Sequence, residues 1–300
     1  MNFSTSNIWN NSFILRYPLE QIKKIGNLYF YESENILKCQ HFFEFDITSD
    51  ELKIMQKEIK NNKKIRFNYI NDSVLSNKLK EWAIKNNFEY QIIDEWEAPR
   101  LVLNEENLKK YISICPHSQI SKNYKMYCNK KEKLNFYNSI NCDSLMLWNY
   151  VLQIDYNSWK KDEHSDMKSL DREDLQYLPF FLIDKEHSNL IVVCDEKNNP
   201  LAYSLMFRSG DCWYAVKWGA SNLGRKYYAG FYCLFYHLEY LYSLDNKLLI
   251  DFWGRRNKTY DELKNDYIMR KHIIVYKKEW YYVYRVGKYI WYRKYRWHDW

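Results

Sequence analysis

The stretch LLIDFW at 248–253 ends an apolar run on a single carboxylate, Asp251. Apolar neighbours strip water from an acid, raise its pKa and suit it to accept a proton near neutral pH. An equally open reading makes Asp251 a buried ion partner for Lys264 or Arg255. His237, in FYHLEYL, stands two residues before Glu239. Two positions apart on a helix are different faces, so these side chains form no dyad, and a single His in an aromatic helix reads as packing. Cys233 lies in the middle of the same helix without a partnered base, which argues against a nucleophilic thiolate. The seven cysteines, at 39, 115, 128, 142, 194, 212 and 233, are odd in number and contain no C-x-x-C pair. That spacing indicates neither a zinc site nor a disulfide framework; no metal is expected, and the thiols suit a reducing cytosol.

Such residues need a scaffold, and 300 residues suffice for one large domain or two medium ones. An apolar share of 46% with 28% charged residues is ordinary for a soluble globular protein. The 29 Tyr, with many Asn, Lys and Ile, look like AT-rich codon usage, but 12 Trp do not, so indoles have to be placed in a core or against a substrate. The net charge of +7 is local: residues 269–300 hold nine Lys and Arg against two acids, and the preceding 268 hold 36 of each. An acidic partner is the expected reader of that basic end. The N-terminus has no basic start followed by a long apolar run, and no apolar stretch approaches the ~20 residues of a spanning helix. A cytoplasmic protein without membrane insertion is expected.

Two blocks of similar layout follow from the periodicities. In the first, HFFEFDI (41–47) predicts a strand, and SDELKIMQKEIKNN (49–62) a helix capped by its Ser. KIRFNYI (64–70) alternates as a strand, SVLSNKLKEWAIKNN (73–87) stripes Leu75, Leu79, Trp82 and Ala83, and EYQIIDEWEAPRLVL (89–103) is extended but broken by Pro99. A mostly helical bridge covers 105–138, and 142–161 places Leu145, Trp148, Leu152 and Tyr156 at helical spacing. In the second block, 175–187 is helix-like and three strands, LIVVCD, LAYSLMFR and CWYAVKWGAS, are joined by turns rich in Asn, Pro, Gly and Asp. A helix over 229–243, a strand at 248–254, a short helix at 258–266 and a hairpin over 272–286 complete it. Alternating helices and strands indicate an α/β or α+β architecture.

Within the second block, SWK (158–160) closes a helix and NNPLAYSLMF sets a strand behind a short turn. KWGAS precedes RKYYAGFYCLFYHLEYLYS, and LLIDFWGRRNKTYDELKNDY joins an Asp-ending strand to a downstream Lys. The order and spacing of these strings resemble the GNAT superfamily of acyltransferases and, within it, the CelD-type, Fem-like double-GNAT branch. The resemblance implies two tandem GNAT-like mixed-sheet domains, a degenerate one at 1–125 and an acyltransferase domain at 126–300. One feature departs from the wider superfamily. Its Gln/Arg-x-x-Gly-x-Gly/Ala loop is replaced by NLGRKYYAG (222–230), where Gly224 and Gly230 stand further apart. The loop therefore does not by itself select the acyl donor.

The activity so implied is direct acyl or aminoacyl transfer in a ternary complex, without a covalent enzyme intermediate. The donor is an acyl-CoA, an acyl-carrier protein or an aminoacyl-tRNA; the acceptor is an amine or hydroxyl of a small molecule, sugar or peptide. No cofactor is bound permanently, and coenzyme A or a phosphopantetheine thioester serves as co-substrate. The donor would lie along Trp213, Lys217, Trp218 and Gly219, with its phosphates near Arg225, Lys226, Tyr228 and Gly230 at a helix start. Asp251 is the implied base, Tyr203 an acid for the leaving thiolate, and Lys264 a contact to a carboxyl or phosphate. Trp159 and Lys160 fall on the acceptor side.

The ending EWYYVYRVGKYIWYRKYRWHDW reads as a last strand with aromatics on both faces, then a basic segment: structural first, a docking surface second. A competing class is a catalytically inactive GNAT-fold protein that binds RNA or another partner. The absent Gly-x-Gly loop favours it; SWK, Asp251 and Lys264 argue against it.

Overall fold

The computed structural model describes residues 6–104, 107–115, 118–162, 177, 184–253 and 258–278. The chain divides into two compact units: Leu19–Glu95 with the chain from Met269 on, and Met1–Pro18 with Trp96–Ile268. The first helix, α1 (Asn7–Arg16), belongs to the second, larger unit and is capped by Ser6.

The smaller unit opens with a meander that the sequence patterns did not reveal: β1 (Ile22–Ile25), β2 (Leu28–Ser33) and β3 (Ile36–Cys39). Its reversals are two-residue turns. Gly26 takes φ +60°, and Glu34 and Asn35 both take positive φ, the twist that suits a tight hairpin. Helix α2 (Ser49–Lys60) follows, with a capping box between Thr48 and Glu51, so the cap sits one residue before the expected Ser. Then come β4 (Lys64–Asn71), α3 (Val74–Lys85), the first part of β5 (Phe88–Leu103) and, from the chain's far end, β11 (Asp266–Lys277). β3 and β4 are parallel, β4 and β11 antiparallel, so the sheet is mixed. Phe30, Leu37, Ile65, Phe67 and Val275 meet Met55, Ile59, Leu79 and Trp82 in its core.

Two expectations are corrected, HFFEFDI in this unit and Pro99 in the larger one. HFFEFDI is not a ladder strand: Phe43 has φ +63° and makes one isolated bridge to Ile70. Its alternation is nonetheless real, because Phe43, Phe45 and Ile47 are buried. β5 runs unbroken through Pro99. The ladder with β10 (Leu248–Asp251) begins one residue later, at Arg100, so the missing N–H of Pro99 is not needed there. The Pro99 carbonyl accepts the Phe252 amide at 3.0 Å.

The larger unit adds α4 (Leu108–Ile114), α5 (Ser118–Lys130), β6 (Asn135–Asn138), α6 (Ser144–Tyr156) and α7 (Trp159–Asp162). Next are β7 (Ser188–Cys194), β8 (Pro200–Ser209), β9 (Cys212–Ala220), α8 (Asn222–Lys226), α9 (Ala229–Asp245), β10, and α10 (Lys258–Leu263). Its sheet order is β5-β10-β9-β8-β7-β6, with β9 and β10 parallel and the other neighbours antiparallel. α4, α5 and α9 pack on the face that carries Met206 and Trp213. α6 lies against the opposite face, through the buried Asp155–Tyr203 contact. β6 corrects the expected helical bridge, and α6 buries Leu147, Trp148, Val151, Ile154 and Asp155, whereas Leu145 and Tyr156 are exposed. The helix-like stretch 175–187 falls largely outside the described residues, as do Arg255, the second strand of the terminal hairpin and the basic tail. No helix among the described residues is long and apolar enough to cross a membrane.

Candidate active site

β9 begins as an ordinary interior strand and then parts from one neighbour. Its register with β10 holds at Trp213 and Tyr214, opposite Ile250 and Asp251, and β10 ends there. On the other side, the ladder with β8 continues to Ala220, with a bulge between the pairs Leu205↔Lys217 and Met206↔Ala215. The extra residue bends and twists the strand where the two neighbours diverge.

Hydrogen-bond phase determines what the parted edge presents. The Ser221 amide donates to the Leu201 carbonyl at 2.9 Å, and Tyr203↔Gly219 is the next pair but one in that register. Antiparallel pairs alternate between bonded and non-bonded, so Gly219 directs its N–H and C=O at β8. Trp218 and Ala220 therefore direct theirs away from β8, to the side that β10 has vacated.

The Trp218 carbonyl is met there by Lys160, whose ammonium donates to it at 2.9 Å. The same ammonium donates to Asp155 Oδ1 at 3.1 Å and to Tyr203 Oη at 2.9 Å, and the Tyr203 hydroxyl donates to Asp155 Oδ1 at 2.9 Å. All three side chains are buried. A buried ion pair is tolerable only when its remaining donors and acceptors are bonded. The SWK turn arranges this locally: Ser158 Oγ donates to the Asp155 carbonyl at 2.8 Å and accepts the Lys160 amide at 3.3 Å. Gly219 makes room, since a Cβ there would come within 2.7 Å of the Tyr203 ring and 2.9 Å of both Asp155 Oδ1 and Lys160 Nζ.

The start of α9 adjoins the same strand end. A Cβ on Gly230 would lie 3.2 Å from the Trp218 ring and 3.7 Å from Ala220 Cβ. Tyr228 caps the helix in the left-handed conformation, φ +59°, without a side-chain hydrogen bond. Arg225 and Lys226, on α8 just before, are exposed. Gly224 answers a packing need: its Cβ would fall 2.1 Å from the Leu201 carbonyl oxygen. Trp218 packs against Tyr260 at 5.8 Å, and Tyr260 stacks on Phe252 at 4.3 Å.

The remaining expected residues are scattered around this end and the opposite one. Asp251 is buried; it accepts the Trp253 amide at 2.8 Å and faces Arg100 at 3.9 Å, rather than Lys264. Lys264 pairs with Asp261 at 3.3 Å and Glu97 at 3.8 Å. Trp159 is exposed, whereas its neighbour Lys160 is buried. Lys217 is half-buried, and Trp213, under the Arg208 guanidinium, lies at the other end of β9. His237 and Glu239 are separate: His237 meets Ser204 Oγ at 2.9 Å, and Glu239 accepts from Tyr124 and Tyr127. Burial pushes the Cys233 thiol well above its ordinary pKa, which keeps it protonated.

Asp155 and Arg100 were missed. Asp155 had a signal, being an acid on the α6 stripe of Trp148 and Val151, five residues before Lys160. Arg100 had none, because its pairing with Asp251 comes from a β5–β10 ladder about 150 positions apart in the chain.

No protein-family model and no curated protein sequence matches the chain. Solved structures are similar to it. L-PGS from Bacillus licheniformis aligns with a TM-score of 0.55 at 9% identity, over 84% of this chain and 81% of that one. FemX aligns at 0.57 and 10% identity, over 85% of each chain. The C-terminal domain of a putative lysylphosphatidylglycerol synthetase from Agrobacterium fabrum aligns at 0.56 and 7% identity, over 92% of each. At these identities the likeness is one of fold, and the chain shares the mixed α/β fold of these proteins.

Proposed function

We propose that the protein is a GNAT-type acyltransferase of the Fem-like branch, with residues 1–125 as its degenerate half and 126–300 as its catalytic half. It transfers an acyl or aminoacyl group from a thioester or ester to an amine or hydroxyl, directly and in a ternary complex. The observation that carries this reading is the parting of β9 from β10 after Tyr214, beside the first residues of α9. An open strand edge offers backbone groups to an extended ligand, and a helix start favours its anionic end.

In this reading the donor arm lies along Trp218–Ala220, with its phosphates near Gly230, Tyr228, Arg225 and Lys226. Asp251 takes the acceptor's proton; Lys264 and Lys217 supply charge at the margins. A tetrahedral oxyanion would be held by the outward amides of β9, which are fixed before the reaction and need no reorganisation. Trp159, exposed beside the cluster, faces the acceptor.

Calorimetric titration with coenzyme A, a holo-acyl carrier protein and aminoacyl-tRNA tests the assignment. Saturable binding of one of them, weakened by substitutions at Arg225 and Lys226, is expected. Binding of none overturns it.

A further inference from the structure

We propose that Lys160 is a positioning residue which keeps the edge of β9 open, on the reading that this edge receives the acyl donor. The inference follows from a requirement. A backbone carbonyl in a strand that solvent reaches only in part needs a partner, and a neighbouring strand ordinarily supplies it. Among the described residues no strand pairs with Trp218 on that side, because the β10 register stops at Tyr214. Its carbonyl points to the vacated side, and the Lys160 ammonium takes it at 2.9 Å. A side chain thus replaces a ladder bond without filling the place of a strand.

The ammonium is itself held. Asp155 supplies the counter-charge, Tyr203 a third bond, and the Ser158 turn the approach from α6. Because the peptide unit is planar, fixing the Trp218 oxygen also fixes the Gly219 amide on its far side, against β8. The outward groups of Trp218 and Ala220 are then oriented before any ligand arrives. Lys160 does not need to touch the reacting atoms for this, and its three donors are already engaged.

Hydrogen exchange in the unliganded protein, followed by mass spectrometry, tests the brace independently of any donor. The variants are Asp155→Asn/Lys160→Met, which removes both charges together, and Tyr203→Phe, which removes the two hydrogen bonds of the hydroxyl and leaves the ion pair. The double variant is expected to speed exchange of a peptide covering 212–221 by about tenfold, the worth of one charge-assisted bond. Peptides from β7 should be unchanged, and Tyr203→Phe should give a smaller rise confined to 212–221. Equal acceleration in β7 would mark a general core contact, and no change in 212–221 would mark a bystander; either overturns the brace. In parallel, coenzyme A, acyl-carrier protein and aminoacyl-tRNA are titrated into wild type and the double variant. If wild type binds none, the transferase reading fails while the exchange result still judges Lys160. If wild type binds one, about tenfold weaker binding to the double variant is expected, and equal binding overturns the positioning role.

Discussion

The ammonium of Lys160 and the backbone oxygen of Trp218 meet 2.9 Å apart on the edge of β9 that faces away from β8. That contact ties the turn after α6 to a strand that loses its β10 neighbour partway along. Stability and binding at this end should therefore respond together to changes in the cluster.

Asp155→Ala leaves the Lys160 charge buried without its counter-ion. A loss of about 3–5 kcal/mol is expected from chemical denaturation, as for other broken buried pairs. Asp155→Asn/Lys160→Met should lose clearly less, because no uncompensated charge remains. Equal losses would show that packing, not charge, dominates the cluster.

Gly224→Ala and Gly210→Ala separate steric from conformational cost. At Gly224 a methyl would overlap the Leu201 carbonyl at 2.1 Å, and a loss of about 1–3 kcal/mol is expected. Gly210 has open space but φ +59°, so only the left-handed penalty of about 1–2 kcal/mol applies. Denaturation midpoints of the two variants check the ranking.

His237 is enclosed, and burial lowers its pKa from 6.5 to about 3. Between those values the unfolded chain binds a proton that the folded protein refuses, so this residue erodes stability as pH falls. Relative to pH 8, its share of the loss by pH 5 is about 2 kcal/mol. His237→Asn should flatten that part of the pH profile in parallel urea titrations. An unchanged slope would contradict the assignment.

Arg225→Ala and Lys226→Ala change exposed side chains on α8, so folding stability should shift by less than about 0.5 kcal/mol. Their combined removal is expected to weaken binding of a phosphate-bearing donor by about tenfold or more, read by calorimetry at fixed ionic strength. Undiminished affinity would remove the phosphate role from this helix start.

Local patterning alone determined much of the frame. The apolar runs of β7, β8 and β9, the stripe Leu75, Leu79, Trp82 and Ala83 on α3, and the helix expected over 229–243, which runs two residues further, all follow from near-neighbour periodicity. SWK, Tyr203, Trp218 and Gly219 were likewise visible as separate strings. What only the tertiary structure decided was their convergence. Asp155, Lys160, Tyr203 and Gly219 come from α6, α7, β8 and β9, and the Trp218 carbonyl has no sequence signature at all. The pairing of Asp251 with Arg100 was hidden for the same reason, whereas the meander β1–β3 is paired locally and escaped only because its strands are short. Periodicity reports which way a side chain faces along its own element. Strand neighbours, hydrogen-bond phase and the place where a ladder ends are set by contacts between residues far apart in the chain.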